Sequence, residues 1–183
     1  MAIWSVSMTL AAGVQFPADR IILHGNAKPS SVVRRAMLMG VRCIVVDRLD
    51  EIATLASLAF GSGRQRVMLR VTPDVEAHTH RAMTTGTDDQ KFGLSIRSGA
   101  AAEAVRRVLA TPSLELAGVH CHIGSRVTRT APVRADGARP IAFLAAVPDE
   151  HGLALPELNL GGGHAIAYHP GDAPLEVGDV ARR

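Results

Sequence analysis

Leu158-Asn-Leu-Gly-Gly-Gly163, taken with Gly118-Val-His-Cys-His-Ile-Gly-Ser125, settles the architecture of this chain. Each is a short apolar run that stops abruptly at small or polar residues. That is the pattern of a buried parallel strand delivering its C-terminal end to a ligand site. In the first run, three successive glycines leave backbone N–H groups bare and remove every Cβ that could block a close approach. Gly161, Gly162 and Gly163 can therefore wrap a phosphate. In the second, strand alternation turns His120 and His122 to one face and Cys121 to the other. Ser125 adds a hydroxyl beyond the strand end.

The flanking sequence repeats the theme. Arg20-Ile-Ile-Leu-His24 reads as a strand, and Lys28-Pro-Ser-Ser31 opens a helix that runs to about Met39 and ends at Gly40. Val41–Asp47 is the next strand, followed by a helix capped by Asp50, running through Leu58 and Ala59 and stopped at Gly61-Ser-Gly63. Val67–Val71 is a third strand. A long polar loop occupies 72–90, a length that usually signals function. Phe92–Ser95 is a short segment, Ser98 to Ala110 a helix, Leu114–His120 a fourth strand and Leu158–Leu160 a fifth. Residues 126–140, rich in Arg, Thr, Pro and Gly, predict nothing regular, and 126–150 lack an amphipathic helix; Ile141 to Val147 predicts only a short one.

Strand–helix alternation of this kind predicts an α/β protein with a parallel sheet and helices outside it. No G-x-G-x-x-G follows an early strand, which argues against an open dinucleotide-binding sheet. Candidate site residues instead close successive strands: His24 and Asn26, Asp47, Arg70, His120 and His122, then Gly161. That distribution suits the C-terminal rim of a (β/α)8 TIM-type barrel. About five parallel strands are legible where such a barrel has eight, so a partial barrel is expected.

Composition narrows the function. At 183 residues and 47% apolar content the chain can bury one core, and a net charge of +3 with 3% aromatic residues offers no platform for nucleic acid. No apolar window reaches membrane-spanning length. Cys43 and Cys121 sit in apolar runs and predict buried, inert thiols of a reduced, cytoplasmic protein. The His120/His122 pair can bind a divalent metal, as in a metal-dependent barrel hydrolase, or set a ring against an aromatic cofactor. His78 and His80 repeat the spacing in the long loop, where solvated side chains are the simpler reading. Arg70 closes an apolar strand as a rim ion pair or as a fixed cation beside an acidic ligand.

Seven motifs in order resemble the diaminopimelate decarboxylases: His24-Gly-Asn-Ala-Lys28, Ile44-Val-Val-Asp47, Leu69-Arg-Val-Thr-Pro73, Val75-Glu-Ala-His-Thr-His80, Asp89-Gln-Lys-Phe-Gly-Leu-Ser95, Gly118–Ser125 and Leu160-Gly-Gly-Gly163. These enzymes belong to the fold-type III pyridoxal-phosphate decarboxylases. The resemblance implies a pyridoxal-phosphate-binding barrel followed by a β-rich C-terminal domain, a homodimer, and conversion of an amino-acid substrate, meso-diaminopimelate, to L-lysine and carbon dioxide. It places His122 on the pyridine ring, Ser125 and Gly161 to Gly163 on the phosphate, and Arg70 beside the ring. The family's Schiff-base lysine lies upstream of the His-Gly-Asn motif, and neither Lys28 nor Lys91 replaces it. No catalytic residue is therefore assigned. Arg126 and Ala165 stand where the family has Gln and Gly. Residues 1–183 are expected to be an incomplete barrel domain, without the C-terminal domain, inactive alone, and prone to aggregate or to need a complementing chain. No metal, nucleic-acid or membrane partner is expected. A degenerate, non-catalytic fragment is the alternative.

Overall fold

The computed structural model describes residues 2–3, 5–59, 63–72, 92–122, 130–162, 167 and 178. Seven strands and five α-helices occur among them in chain order. They are β1 (Ala2–Ile3), α1 (Ser5–Gly13), β2 (Ile22–Leu23), α2 (Ser30–Leu38), β3 (Cys43–Val46), α3 (Leu49–Leu58) and β4 (Gln65–Thr72). There follow β5 (Leu94–Ser95), α4 (Ala100–Leu109), β6 (Leu114–His120), α5 (Thr130–His151) and β7 (Glu157–Asn159). The strands lie side by side as β1-β2-β3-β4-β6-β7, with β5 on the end of β4. Every pairing is parallel. All C-terminal ends therefore point the same way, as in a partial barrel.

Strand alternation divides the core in two. Ile44, Val46, Val67, Leu69, Val119 and Cys121 face the helices, where Val33, Leu55, Val105 and Val108 meet them. The opposite, inner face holds Cys43, Val45, Met68 and Ala117, with Ile22 packed against them. β3 is thus buried on both faces, as parallel strands are. The β4–β6 register shifts between Val67 and Met68. On β6, Leu114 and Leu116 lie in the helix-side core and Ala117 in the inner one, while Val119 and Cys121 return to the helix side. This irregularity leaves His120 and His122 opposite Cys121, on the inner face, as the sequence predicts.

Three local expectations are corrected. Thr130 to His151 form one 22-residue helix, not an irregular segment with a short helix after it. Pro140 and Pro148 lie inside it and each removes a backbone donor. An alanine-rich sequence favours the helix, and Phe143, Leu144 and Val147 join the helix-side core. Arg48, not Asp50, occupies the cap position of α3. The N-terminal segment, given no element from sequence, contributes β1 and α1. The expected loop over 72–90 lies outside the described residues beyond Thr72. Among the described residues, no helix is long and apolar enough to cross a membrane.

β6 and β7 approach each other closely. A Cβ at Gly118 would overlap the backbone of Glu157, its register partner. Gly118→Ala should therefore force the two strands apart and lower the unfolding free energy by about 2–3 kcal/mol, the size of an overpacking penalty. Urea denaturation measures this, and an unchanged midpoint would show that β7 does not seat on β6 as described.

Candidate functional site

The inner face carries its polar residues at the strand ends. β2 leads to His24, β3 to Asp47, β4 ends near Arg70, β6 supplies His120 and leads to His122, and β7 ends at Asn159 before Gly161. Parallel registry brings these side chains to one rim. There His24, Arg70, Phe92, His120, His122 and Gly161 line a cleft of about 660 Å³, with Asn159 and Gly162 beside them.

Asp47 anchors the rim. Its carboxylate is 1% exposed, and Oδ1 accepts a hydrogen bond from Arg70 Nη1 at 2.9 Å. Oδ2 accepts from the backbone N–H of Gly93 at 3.2 Å. An isolated buried carboxylate is strongly disfavoured, so this pairing holds the guanidinium in place. Arg70 also lies over the Phe92 ring, 4.9 Å from its centroid. Thr72 Oγ1 donates to the Phe92 carbonyl at 2.8 Å and ties that segment to β4.

The histidines form the facing wall. The His24 and His120 rings meet edge to face with centroids 4.5 Å apart. Burial, reinforced by the charges of Arg70 and Lys28, pushes His24 down to about 4. Burial and then the neighbouring His24 and Arg70 push His120 down to about 3. Burial and Arg70 lower His122 as well. These imidazoles are therefore neutral at pH 7, and among the described residues lining the cleft Arg70 is the cation. Among the described residues, buried His24 Nε2 and His120 Nδ1 have no hydrogen-bond partner.

Gly161 closes the site against His122. Its φ is +75°, and a Cβ there would fall 2.9 Å from His122 Nδ1 and 3.1 Å from the Cys121 carbonyl oxygen. Only a bare backbone fits. Asn159 Oδ1 accepts the Gly161 N–H at 2.9 Å, and the Asn159 carbonyl accepts the Cys121 N–H at 2.9 Å. Sequence assigns no role to Asn159 or Gly93 and reads Phe92 only as the anchoring aromatic of a loop. The available signal was an asparagine two residues before a glycine bend, a local turn arrangement.

The candidates from sequence divide as follows. Arg70, His122, Gly161 and Gly162 meet at one cleft. Ser125, Gly163, Arg126 and Ala165 lie outside the described residues, as do His78, His80 and Lys91. Lys28 is fully engaged: its ammonium reaches the Gly25 carbonyl, the Val45 carbonyl and Glu51 at 2.6, 2.8 and 2.8 Å. Among the described residues, no three His, Cys, Asp or Glu side chains gather to hold a metal ion. Cys43 and Cys121 are buried thiols, and burial, with Glu157 nearby, pushes Cys43 up to about 12. A larger cleft, about 970 Å³, lies at the opposite strand ends beside Arg42 and Arg66. Both guanidinium groups there are 2.7 Å from the Glu157 carboxylate, so their charge is largely compensated.

Comparison with known proteins follows the same lines. A family described as "Pyridoxal-dependent decarboxylase, pyridoxal binding domain" matches residues 5–183. Diaminopimelate decarboxylase of Actinosynnema pretiosum subsp. auranticum is 44% identical over 176 residues, covering 96% of this chain and 39% of the relative. That of Bacillus subtilis is 41% identical over 175 residues, covering 95% of this chain and 39% of the relative. The crystal structure of diaminopimelate decarboxylase from M. jannaschii in co-complex with L-lysine superposes with a TM-score of 0.87 at 28% identity, covering 98% of this chain and 42% of that one. The chain thus spans about two fifths of the length of these proteins.

The imidazoles of half-buried His24 and buried His120 couple stability to pH. His24 and His120 titrate below their unfolded value of 6.5. Between that value and their folded values the unfolded chain binds more protons, so stability rises with pH. It is complete above pH 6.5 and declines as pH falls through 5 towards 4. Urea denaturation between pH 7 and 5 should show this loss, and His24→Gln should flatten the slope by up to one proton. A slope unaltered in that variant would mean His24 is not buried as described.

Proposed function

This chain belongs to the pyridoxal-dependent decarboxylases, through their pyridoxal-binding domain, and on that premise we propose that its cleft holds pyridoxal phosphate for the decarboxylation of meso-diaminopimelate to L-lysine. The observation that carries the reading is the convergence of Arg70, His122 and Gly161 on a single cleft. Two features fit the cofactor. The bare backbone of Gly161 lets the His122 ring stand directly against it at the cleft, and a Cβ at Gly162 would meet nothing within 4 Å, so the backbone there is open to a ligand. Arg70 supplies a cation for an anionic ligand, fixed from behind by Asp47.

In this reading His122 lies against the pyridine ring and the Gly162 backbone N–H meets the phosphate, beside a Gly161 whose own N–H is held by Asn159; likeness to the family adds Gly163 and Ser125 as further phosphate contacts. Bound pyridoxal phosphate supplies an electron sink for the carbanion left when a carboxylate departs. The residues of this chain bind and orient. His24 and His120, neutral at pH 7, add bulk to the wall without a second positive charge. Phe92 packs on Arg70 and limits its movement. The metal-dependent hydrolase reading gives way to the family assignment, and His120 packs its ring on His24 instead.

Lys28 favours a binding role, without turnover, for the 183 residues by themselves. It is the lysine present among the described residues, and its ammonium is committed to three acceptors. Catalysis then depends on groups that the described residues do not supply. Assembly as a homodimer and a cytoplasmic location belong to the same reading, from likeness to the family.

Titration with pyridoxal phosphate, followed by its fluorescence, tests the reading. The chain should bind saturably, and Arg70→Met or His122→Ala should weaken binding by roughly tenfold or more, as expected when a charged hydrogen bond or a stacking face is lost. Borohydride treatment should leave Lys28 unlabelled by mass spectrometry. Non-saturable binding, or full affinity in both variants, would contradict the assignment.

A further inference from the structure

Lys28 touches nothing in the cleft, yet it connects the pieces that build it. Its side chain is 3% exposed. The Nζ donates to the Gly25 carbonyl at 2.6 Å, in the loop after β2, and to the Val45 carbonyl at 2.8 Å, near the end of β3. Its third partner is the Glu51 carboxylate in the first turn of α3, at 2.8 Å. Three donors meet three acceptors from three elements, so the buried ammonium is fully matched. The same carboxylate accepts the backbone N–H of Asp47 at 2.7 Å. Asp47 in turn accepts from Arg70 at 2.9 Å. On the other side, Gly25 directly follows His24, whose ring lines the cleft.

We propose that Lys28 is a positioning residue for the pyridoxal-phosphate cleft: tying Gly25 to Val45 and Glu51, it fixes the loop that presents His24 and, through Glu51, the backbone of the Asp47 that orients Arg70. The proposal deepens the functional reading above and rests on it. The chemistry also accounts for a lysine here in a chain whose basic residues are otherwise arginine except at Lys91. An ammonium is a compact point with three donors. A planar guanidinium spreads five donors in a fork, a geometry unlike the single point at which these three acceptors converge. The half-buried position of His24, with its Nε2 shut off from water, is consistent with such a brace.

The test compares the 183-residue chain with its Lys28→Met, Lys28→Arg and Glu51→Gln variants. The first readout is the titration of the His24 imidazole by NMR, below the melting temperature of each variant. Charged and titratable groups around that ring are Arg70, Lys28, Asp47 and His122, with His120 in ring contact. In the parent chain the midpoint sits at about 4. In Lys28→Met it should rise towards 6.5, through loss of the Lys28 charge as well as loosening of the loop, and the dissociation constant for pyridoxal phosphate should rise by roughly tenfold, the scale of effect seen when a supporting partner of a ligand-binding group is removed. Lys28→Arg keeps the charge but not the geometry and should follow Lys28→Met. Because the Lys28 charge itself lowers the His24 midpoint, the charge-keeping Lys28→Arg is the variant that decides: a role confined to stability would leave its His24 midpoint, and the cofactor affinity of all folded variants, unmoved. Should Lys28→Met not fold, Glu51→Gln preserves the side-chain shape and should move both quantities in the same direction. Parental behaviour in Lys28→Arg, or in folded Lys28→Met or Glu51→Gln, overturns the proposal. Failure of the parent chain to bind pyridoxal phosphate would sink the cofactor reading, while the His24 titration would still decide the brace.

Discussion

A carboxylate buried at the end of a parallel strand governs this site. Asp47 is almost wholly removed from water and meets Arg70 and the Gly93 N–H there. Truncating one partner of such a pair leaves a charge stranded, at about 3–5 kcal/mol. The same requirement that keeps Asp47 satisfied therefore keeps Arg70 aimed along the rim. The guanidinium then fixes much else. It covers Phe92 and adds to burial in lowering the proton affinity of His24, His120 and His122. Burial, with Arg70 adding to it, leaves a wall of neutral rings, and Arg70 paired with Asp47 is the cation among the described residues that line the cleft.

Packing sets where that pair can sit. Parallel strands with apolar side chains on both faces give a rigid sheet, and the irregularity in β6 keeps its histidines on the inner face. The close approach of β7 at Gly118 and the bare backbone at Gly161 then bring the last strand against His122. Fold and site are thus linked by steric demands on two glycines, one within a strand and one after it.

Much of this was legible in sequence because it depended on local pattern. Five strands, the alternation of His120, Cys121 and His122, and the rim positions of Arg70 and Gly161 follow from short apolar runs ending in polar or small residues. The helix α5 was not legible. Pro132, Gly137, Pro140 and Pro148 read locally as breakers, whereas packing of Phe143, Leu144 and Val147 on the core is a tertiary effect. The partners of Lys28 lie as far as 23 residues away, and no window of sequence reports them. Asn159 was equally silent, because its part depends on where β7 docks.

The central claim is that one small molecule is touched at once by the strand ends of β4, β6 and β7. Chemical-shift mapping of the isotopically labelled chain during addition of pyridoxal phosphate tests it most directly. Resonances of Arg70, His122 and Gly161 should move together along one saturation curve, with those around Arg42 and Arg66 at the opposite strand ends unmoved. Shifts confined to that opposite end, or separate curves for the three residues, would contradict the account.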